Sequence, residues 1–245
     1  PLGSERSKLW ARGVASKASD LPQISVIIRT KTRSTLASAI NSVVAQTYSN
    51  VELVLVDVAG TGLSHVDLAD VPFPVRIVSK HQLLSRPKAA NAGLKAASGQ
   101  FCIFLDDDDW FYPDHLSKLS NYLTCNPELM AAHTGVVCVD GEGQSTGVIF
   151  DFPYAIRELA YGNFMPIHGV LFSRELVDRG CLFDDRFDIY EDWDFWQQVE
   201  LHTPFGFVSG VSAAYRIDAL SGAGVKLDPN LAKQATAQMY SKWSV

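Results

Sequence analysis

The sequence predicts an α/β fold built on a mostly parallel, doubly wound sheet with helices on both faces, and three observations predict it. Strand-like and helix-like stretches alternate through the first half of the chain, the pattern that right-handed crossovers turn into a parallel sheet. The run Phe101-Cys102-Ile103-Phe104-Leu105 is mostly apolar without alternation, as a strand covered on both faces would be. That run meets four consecutive acids, Asp106-Asp107-Asp108-Asp109, at the carboxyl end of the strand, where open α/β sheets bind ligands.

Each element has its own signal. Ile24-Ser25-Val26-Ile27-Ile28 is a β-branched strand that stops at Arg29-Thr30-Lys31-Thr32-Arg33. Leu36, Ile40, Val43 and Val44 then recur at helical spacing. Val51 to Val56 is a second strand ending at Asp57, and Val75 to Val78 a short third. Pro87 suits the first turn of the next helix, alanines fill its body and Gly99 is expected to end it. After the acidic strand, Pro113 opens a helix with Leu116, Leu119 and Leu123 on one face.

The second half is mixed. Strands are expected over 129–139 and 145–150, around a Gly141-Glu142-Gly143 turn, and residues 152–167 read as irregular. A strand over 169–172, a short helix from Ser173, a loop over 183–188 and a helix over 193–202 follow. Two strands, 205–208 and 211–217, and a final helix over 228–243 complete the chain. Pro1-Leu2-Gly3-Ser4 reads as a protease-cleavage scar, suggesting that the rest was cut from a longer polypeptide, and 5–20 as a polar leader. With no linker in view, one domain is expected over 21–245, with halves at about 21–127 and 128–227 and a terminal helix at 228–245.

Composition narrows the function. Hydrophobic residues make up 47% of the 245, enough for a full core, and the net charge is −6 with scattered basic residues. A nucleic-acid partner needs a basic face and is not expected. Cys102, Cys125, Cys138 and Cys181 show no C-x-x-C spacing and read as reduced thiols of a cytoplasmic protein without a zinc site. No apolar run reaches the length of a membrane span, so membrane association would come from parts of a longer polypeptide.

Four adjacent like charges need a reason. A solvated acidic turn is one. Hard oxygens for Mg²⁺ or Mn²⁺, which in turn holds substrate phosphates, is the stronger one after such a strand. No G-x-G-x-x-G follows the first strand, which argues against a dinucleotide oxidoreductase. Arg29 to Arg33 has no glycine, which argues against a nucleotidyltransferase loop.

Several motifs fall into one order: Ser25-Val26-Ile27-Ile28, Gln46-Thr47-Tyr48, Val56-Asp57, Arg86 with Asn91-x-Gly93, Phe104-Leu105-Asp106-Asp107-Asp108-Asp109 with Pro113, and Glu191-Asp192-Trp193-Asp194. From about 22 to about 217 the chain resembles the family 2 glycosyltransferases of the GT-A fold. The resemblance implies an inverting enzyme that moves a sugar from a nucleotide diphosphate donor, UDP first among them, to a hydroxyl of a saccharide or lipid-linked saccharide, with a divalent metal on the diphosphate. It implies a nucleotide-binding half followed by an acceptor half, and synthesis of a bacterial surface polysaccharide.

Carried over residue by residue, Thr30, Asp57 and Arg86 match donor-contacting positions. Asp106 and Asp107 match positions near ribose and metal, Asp108 the principal metal ligand and Asp192 the catalytic base. Arg29-Thr30-Lys31-Thr32 stands where relatives often carry Pro-Thr-Tyr-Asn, and Val58 follows Asp57 in place of a second acid. No His follows Tyr215-Arg216 in 217–221, so no third metal ligand is assigned.

Blander readings stand beside these. Glu191 and Asp192 precede an apolar helix that acids favour. Trp193 could lie on an acceptor sugar or pack against Trp196; Glu191 and His168 are further acceptor candidates, although a lone His is usually structural. Arg86 and Lys88 could meet phosphates or start a solvated helix, Asp109 could orient its loop, and Asn91 and Gly93 would serve helix packing. The alternative from a different class is a non-catalytic carbohydrate-binding or assembly module that keeps the fold.

Overall fold

A computed structural model of the chain describes residues 21–154, 156–217 and 228–243. The leader expected over 5–20 and the loop 218–221 lie outside the described residues. The first-half strands are β1 (Ile24–Thr30), β2 (Val51–Asp57), β3 (Val75–Ser79) and β4 (Phe101–Asp106), and the helices between them are α1 (Leu36–Val44) and α2 (Arg86–Ala96). The second half adds β5 (Trp110–Phe111), α3 (His115–Cys125), β6 (Ala131–Val139), β7 (Ser145–Phe150) and α4 (Ile156–Tyr161). Then come β8 (Val170–Ser173), α5 (Glu175–Asp178), α6 (Glu191–Glu200), β9 (Phe205–Arg216) and α7 (Pro229–Trp243).

The strands form one sheet in the order β3-β2-β1-β4-β8-β6-β9-β5, with β7 paired to β6. β3, β2, β1 and β4 run parallel, and β8 joins β4 antiparallel. Alternate β1 residues feed opposite cores, as a strand's period of two requires. Ile27 packs with Val54, Phe104, the alanines of α2 and Phe195 and Trp196 of α6. Val26 and Ile28 pack with Leu53, Leu55, α1 and the leucines of α3. Helices therefore cover both faces, which is why β1, β2 and β4 carry no polar alternation. Among the described residues no helix is long and apolar enough to cross a membrane.

Two small residues set the close approaches. A Cβ on Gly93 would run into Ile27 Cγ2 and reach Val56 Cγ2 at 3.2 Å, so only glycine lets α2 lie directly on β1 and β2. Gly99 does not end α2, which is capped at Ala97. Its Cβ would stand 2.7 Å from Ser25 Oγ, and its amide instead donates to that hydroxyl at 2.8 Å. Asn91 exchanges two hydrogen bonds with the Phe183 backbone, 2.8 and 2.9 Å, and so fastens α2 to the loop ahead of α6.

The second half departs from expectation in three places. The strands expected at 205–208 and 211–217 are one strand, β9, because its ladder with β6 absorbs register shifts around Gly135 rather than breaking. β5 was not expected; it is two residues long, too short for any periodicity, and pairs with Ala213 and Ala214. The irregular stretch after β7 contains α4 and a 3₁₀ turn, Ile167–Gly169.

Candidate active site

The parallel strands end together. Thr30 is in register with Asp57, and Arg29 with Asp106, so β1, β2 and β4 deliver their last residues to one edge of the sheet. The amino terminus of α6 meets that edge with Glu191 and Asp192. The helix is entered through Tyr190 at φ 64°, a left-handed value uncommon outside glycine, with the Tyr190 ring edge-on to Trp193.

Four charged side chains from four elements alternate there. Arg29 donates to Asp106 Oδ1 through Nε and Nη2, at 3.1 and 2.7 Å, and to Glu191 Oε1 at 3.1 Å. Arg86 donates to the same Glu191 oxygen at 2.6 Å and lies 3.4 Å from Asp106 Oδ2. Burial alone would raise the Asp106 pKa, but Arg29 and Arg86 outweigh it and bring it down to about 2. The Arg86 guanidinium is held above its ordinary range, chiefly by Glu191. Buried ions persist only when paired in this way.

The four acids go four ways. Asp106 joins the lattice just described. Asp107 is fully buried and turns back into β1, accepting from the Thr30 hydroxyl at 2.7 Å and the Lys31 amide at 3.0 Å, and pairing with Arg33. Asp108 lines a cavity with Arg29, Lys31, Arg33 and Arg86, and lies 3.3 Å from Arg33. Asp109 accepts the Arg216 amide at 2.8 Å and faces His168 Nδ1 at 3.3 Å. Burial pushes the Asp109 pKa up and brings His168 down to about 4.

Asp192 is partly exposed. Its carboxylate accepts from Asn163 Nδ2 and from the Trp193 amide, both at 2.9 Å. Burial and the adjacent Glu191 carboxylate raise its pKa to about 7, against the pull of Arg86. Asp192 lines a cleft of about 190 Å³ together with Arg86, Asp106, His168 and Tyr215. A second cavity of about 100 Å³, the one that Asp108 enters, carries the basic side chains. A larger hollow of about 380 Å³ lies between α1 and residues 65–71 and contains none of the four acids.

Residues 25–220 match the family model described as Glycosyl transferase family 2. The chain belongs to that family. It is 25% identical over 180 residues to an uncharacterized glycosyltransferase, YwdF, of Bacillus subtilis, covering 71% of this chain and 66% of that protein. It is 31% identical over 109 residues to the succinoglycan biosynthesis protein ExoO of Rhizobium meliloti, covering 44% and 31%. The chain spans 66%, 60% and 37% of the lengths of three curated relatives it matches.

Among solved structures, S. aureus TarS 1-349 in complex with UDP-GlcNAc aligns with a TM-score of 0.69 at 18% identity, over 89% of this chain and 66% of that one. The mannosyltransferase PcManGT from Pyrobaculum calidifontis, in complex with GDP-Man and Mn²⁺, aligns with a TM-score of 0.65 at 19% identity, over 98% and 70%. The fold is GT-A-like, a mixed α/β sheet in which β1 to β4 run parallel and antiparallel strands join beyond them.

In the structure, the residues named from sequence separate into groups. Arg86, Asp106, His168, Glu191 and Asp192 converge on the cleft. Thr30 is buried and its hydroxyl is taken by Asp107. Asp57 is buried and accepts from the Gly60 and Gly62 amides and the Ser79 hydroxyl at 2.7–2.8 Å, which lower its pKa against the effect of burial. Trp193 is 3% exposed, with its indole N–H on the Leu159 carbonyl at 2.6 Å, so its ring belongs to the core rather than the cleft wall. Sequence reading gave no role to Arg29, Arg33 or Asn163. A charged residue closing a β-branched strand was the available signal for Arg29; nothing local marks Asn163.

The donor set suits a hard divalent cation in one limited way. Asp108 opens into the basic cavity, while both oxygens of Asp106 already carry guanidinium groups. Among the described residues no group of three or more His, Cys, Asp or Glu side chains converges to cage a metal. The fit is with an ion that takes one or two carboxylates and draws its other ligands from phosphate and water, as Mg²⁺ commonly does.

Proposed function

We propose that this chain transfers a sugar, with inversion, from a nucleoside diphosphate donor to a hydroxyl of a saccharide or lipid-linked saccharide acceptor. The observation that carries the reading is Asp192: a partly exposed carboxylate with a pKa of about 7, in a cleft that shares Arg86 and Asp106 with a basic cavity. A base works best when its pKa lies near the working pH.

In this reading the diphosphate lies in the basic cavity against Lys31, Arg33 and Arg86, and the sugar reaches the cleft. The acceptor oxygen bonds to the anomeric carbon while Asp192 takes its proton. The bond from that carbon to the diphosphate breaks on the opposite face, and its electron pair leaves with the diphosphate. Asn163 orients the Asp192 carboxylate, and Glu191 holds Arg29 and Arg86 in place. Asp108, with Asp106 beside it, would hold a divalent ion, Mn²⁺ or Mg²⁺, which supplies Lewis-acid neutralisation of the departing charge.

UDP-sugars are the first donors to try, given the UDP-GlcNAc complex of TarS, with GDP-mannose second. The likeness to ExoO supports polysaccharide synthesis as the setting, and further domains of a longer polypeptide would supply acceptor or membrane contacts.

The test is calorimetric titration of UDP, dTDP, GDP and CDP with and without Mn²⁺. One nucleotide should bind with a metal-dependent affinity that Asp108→Ala abolishes. Asp192→Asn should keep that affinity and lose transfer. Absence of binding by all four would instead favour a non-catalytic module.

A further inference from the structure

Arg86, Asp106 and Tyr215 line both the cleft and the basic cavity, and so mark where the two meet. Asp106 and Arg86 are committed to one another and, through Arg29 and Glu191, to the rest of the lattice. Tyr215 is different. It is partly exposed, and its hydroxyl has no hydrogen-bond partner among the described residues. Its ring is packed on His168, with centroids 5.5 Å apart.

The mounting of this side chain is firm. Tyr215 stands in register with Cys138 near the end of the β6–β9 ladder. The next residue is tied to the acid loop: the Arg216 amide donates to Asp109 Oδ1 at 2.8 Å, and its guanidinium to the Asp108 carbonyl at 3.1 Å. The same guanidinium lies 5.2 Å over the Trp110 ring. A phenol is thus fixed at the junction with a proton to donate and, among the described residues, no acceptor for it.

We propose that Tyr215 is a catalytic residue whose hydroxyl donates a hydrogen bond to the diphosphate oxygen that leaves the sugar. The assignment rests on the transfer reading given above. In the step, the acceptor oxygen bonds to the anomeric carbon, the carbon–oxygen bond to the diphosphate breaks, and the acceptor proton goes to Asp192. Tyr215 keeps its own proton; its hydrogen bond strengthens as negative charge gathers on the leaving oxygen. Burial, with the carboxylates of Asp109, Asp106 and Asp192, holds the phenol above its ordinary pKa, so it remains a donor at neutral pH.

Tyr215→Phe keeps the ring on His168 and removes only the hydroxyl. The probes are UDP-GlcNAc and GDP-mannose, read by release of the nucleoside diphosphate with and without a saccharide acceptor, alongside calorimetric binding of UDP and GDP. Tyr215→Phe should lower kcat on the order of 10²-fold, the cost of losing one preorganised donor. Acceptor-free hydrolysis should fall by the same factor; the donor KM should stay within about twofold, while UDP and GDP, which carry the leaving oxygen with its full charge, should bind more weakly to the variant. Wild-type rates in Tyr215→Phe would overturn the assignment. So would a loss confined to transfer with a raised acceptor KM, which would put the hydroxyl on the acceptor. A wild-type protein that neither binds nor hydrolyses either donor would overturn the transfer reading itself, and this assignment with it.

Discussion

Replacing Arg29 with methionine tests the charged lattice without hollowing the site. The thioether chain fills much of the arginine stem, which runs beside the Phe104 ring with the guanidinium carbon 5.6 Å from its centroid. What disappears is three charge-assisted hydrogen bonds to two carboxylates. Arg86, with its side chain 45% exposed, is then left as the remaining basic partner of both Asp106 and Glu191 among the described residues. Removing one partner of a buried ion pair costs about 3–5 kcal/mol, so Arg29→Met should lose about that much at pH 7.

Part of the loss is tied to pH. The Asp106 pKa is about 2 in the folded chain against an ordinary 3.8, a shift worth about 2.4 kcal/mol at 1.36 kcal/mol per unit. Because the folded pKa is depressed, that stability is present above pH 3.8 and fades as pH falls through 2. Arg29 is the larger attractive cause and Arg86 the second, so about 1–2 kcal/mol of the gap between wild type and variant should close between pH 4 and pH 2. Urea unfolding followed by tryptophan fluorescence measures this directly. A loss below about 1 kcal/mol at pH 7 would show that the lattice is not stabilised by Arg29. A loss of full size that does not change with pH would trace it to packing.

Other outcomes follow from the same geometry. If Asp192 is the base, kcat should rise through about pH 7 as the carboxylate ionises and then level off; a flat profile from pH 5 to 8 would remove it from that role. Gly93→Ala forces a methyl into Ile27 and should cost about 1–3 kcal/mol by thermal or urea unfolding; an unchanged midpoint would mean that α2 can lift off the sheet freely. Trp193→Phe should lower stability by about 1–3 kcal/mol through the space left by the smaller ring, since Gln197 still donates to the Leu159 carbonyl when the indole is gone, while acceptor KM stays within about twofold; a large KM change with normal stability would return Trp193 to the acceptor.

The first half of the fold was legible because β1, β2 and β4 are covered on both faces, and continuous apolar runs have few other uses. The acid motif was legible for the same reason, being the point where such a run stops. Which acid does what was not legible. Asp106 and Asp107 find their partners about 77 residues back in the chain, and Asp109 finds Arg216 107 residues ahead. No local pattern encodes such meetings. Asp192 and Trp193 were equally ambiguous: neighbours on one helix, one partly open and one in the core. β9 was split on paper because Ser209-Gly210 reads as a break, whereas the neighbouring β6 tolerates the irregularity.

The Arg29–Asp106–Arg86–Glu191 lattice also constrains how such chains can be recombined. Three of its members come from the first half, and Glu191 comes from the second. Grafting the second half of one relative onto the first half of another would therefore carry one negative charge across the seam. A graft without an acid at the Glu191 position strands two guanidinium groups on one carboxylate, and a graft that supplies it to a host lacking Arg29 does the reverse. The Asn91–Phe183 clasp asks for nothing of the kind, since its second partner is backbone. Chimeras that exchange these halves should thus succeed or fail by charge parity at the seam before any question of ligand shape arises.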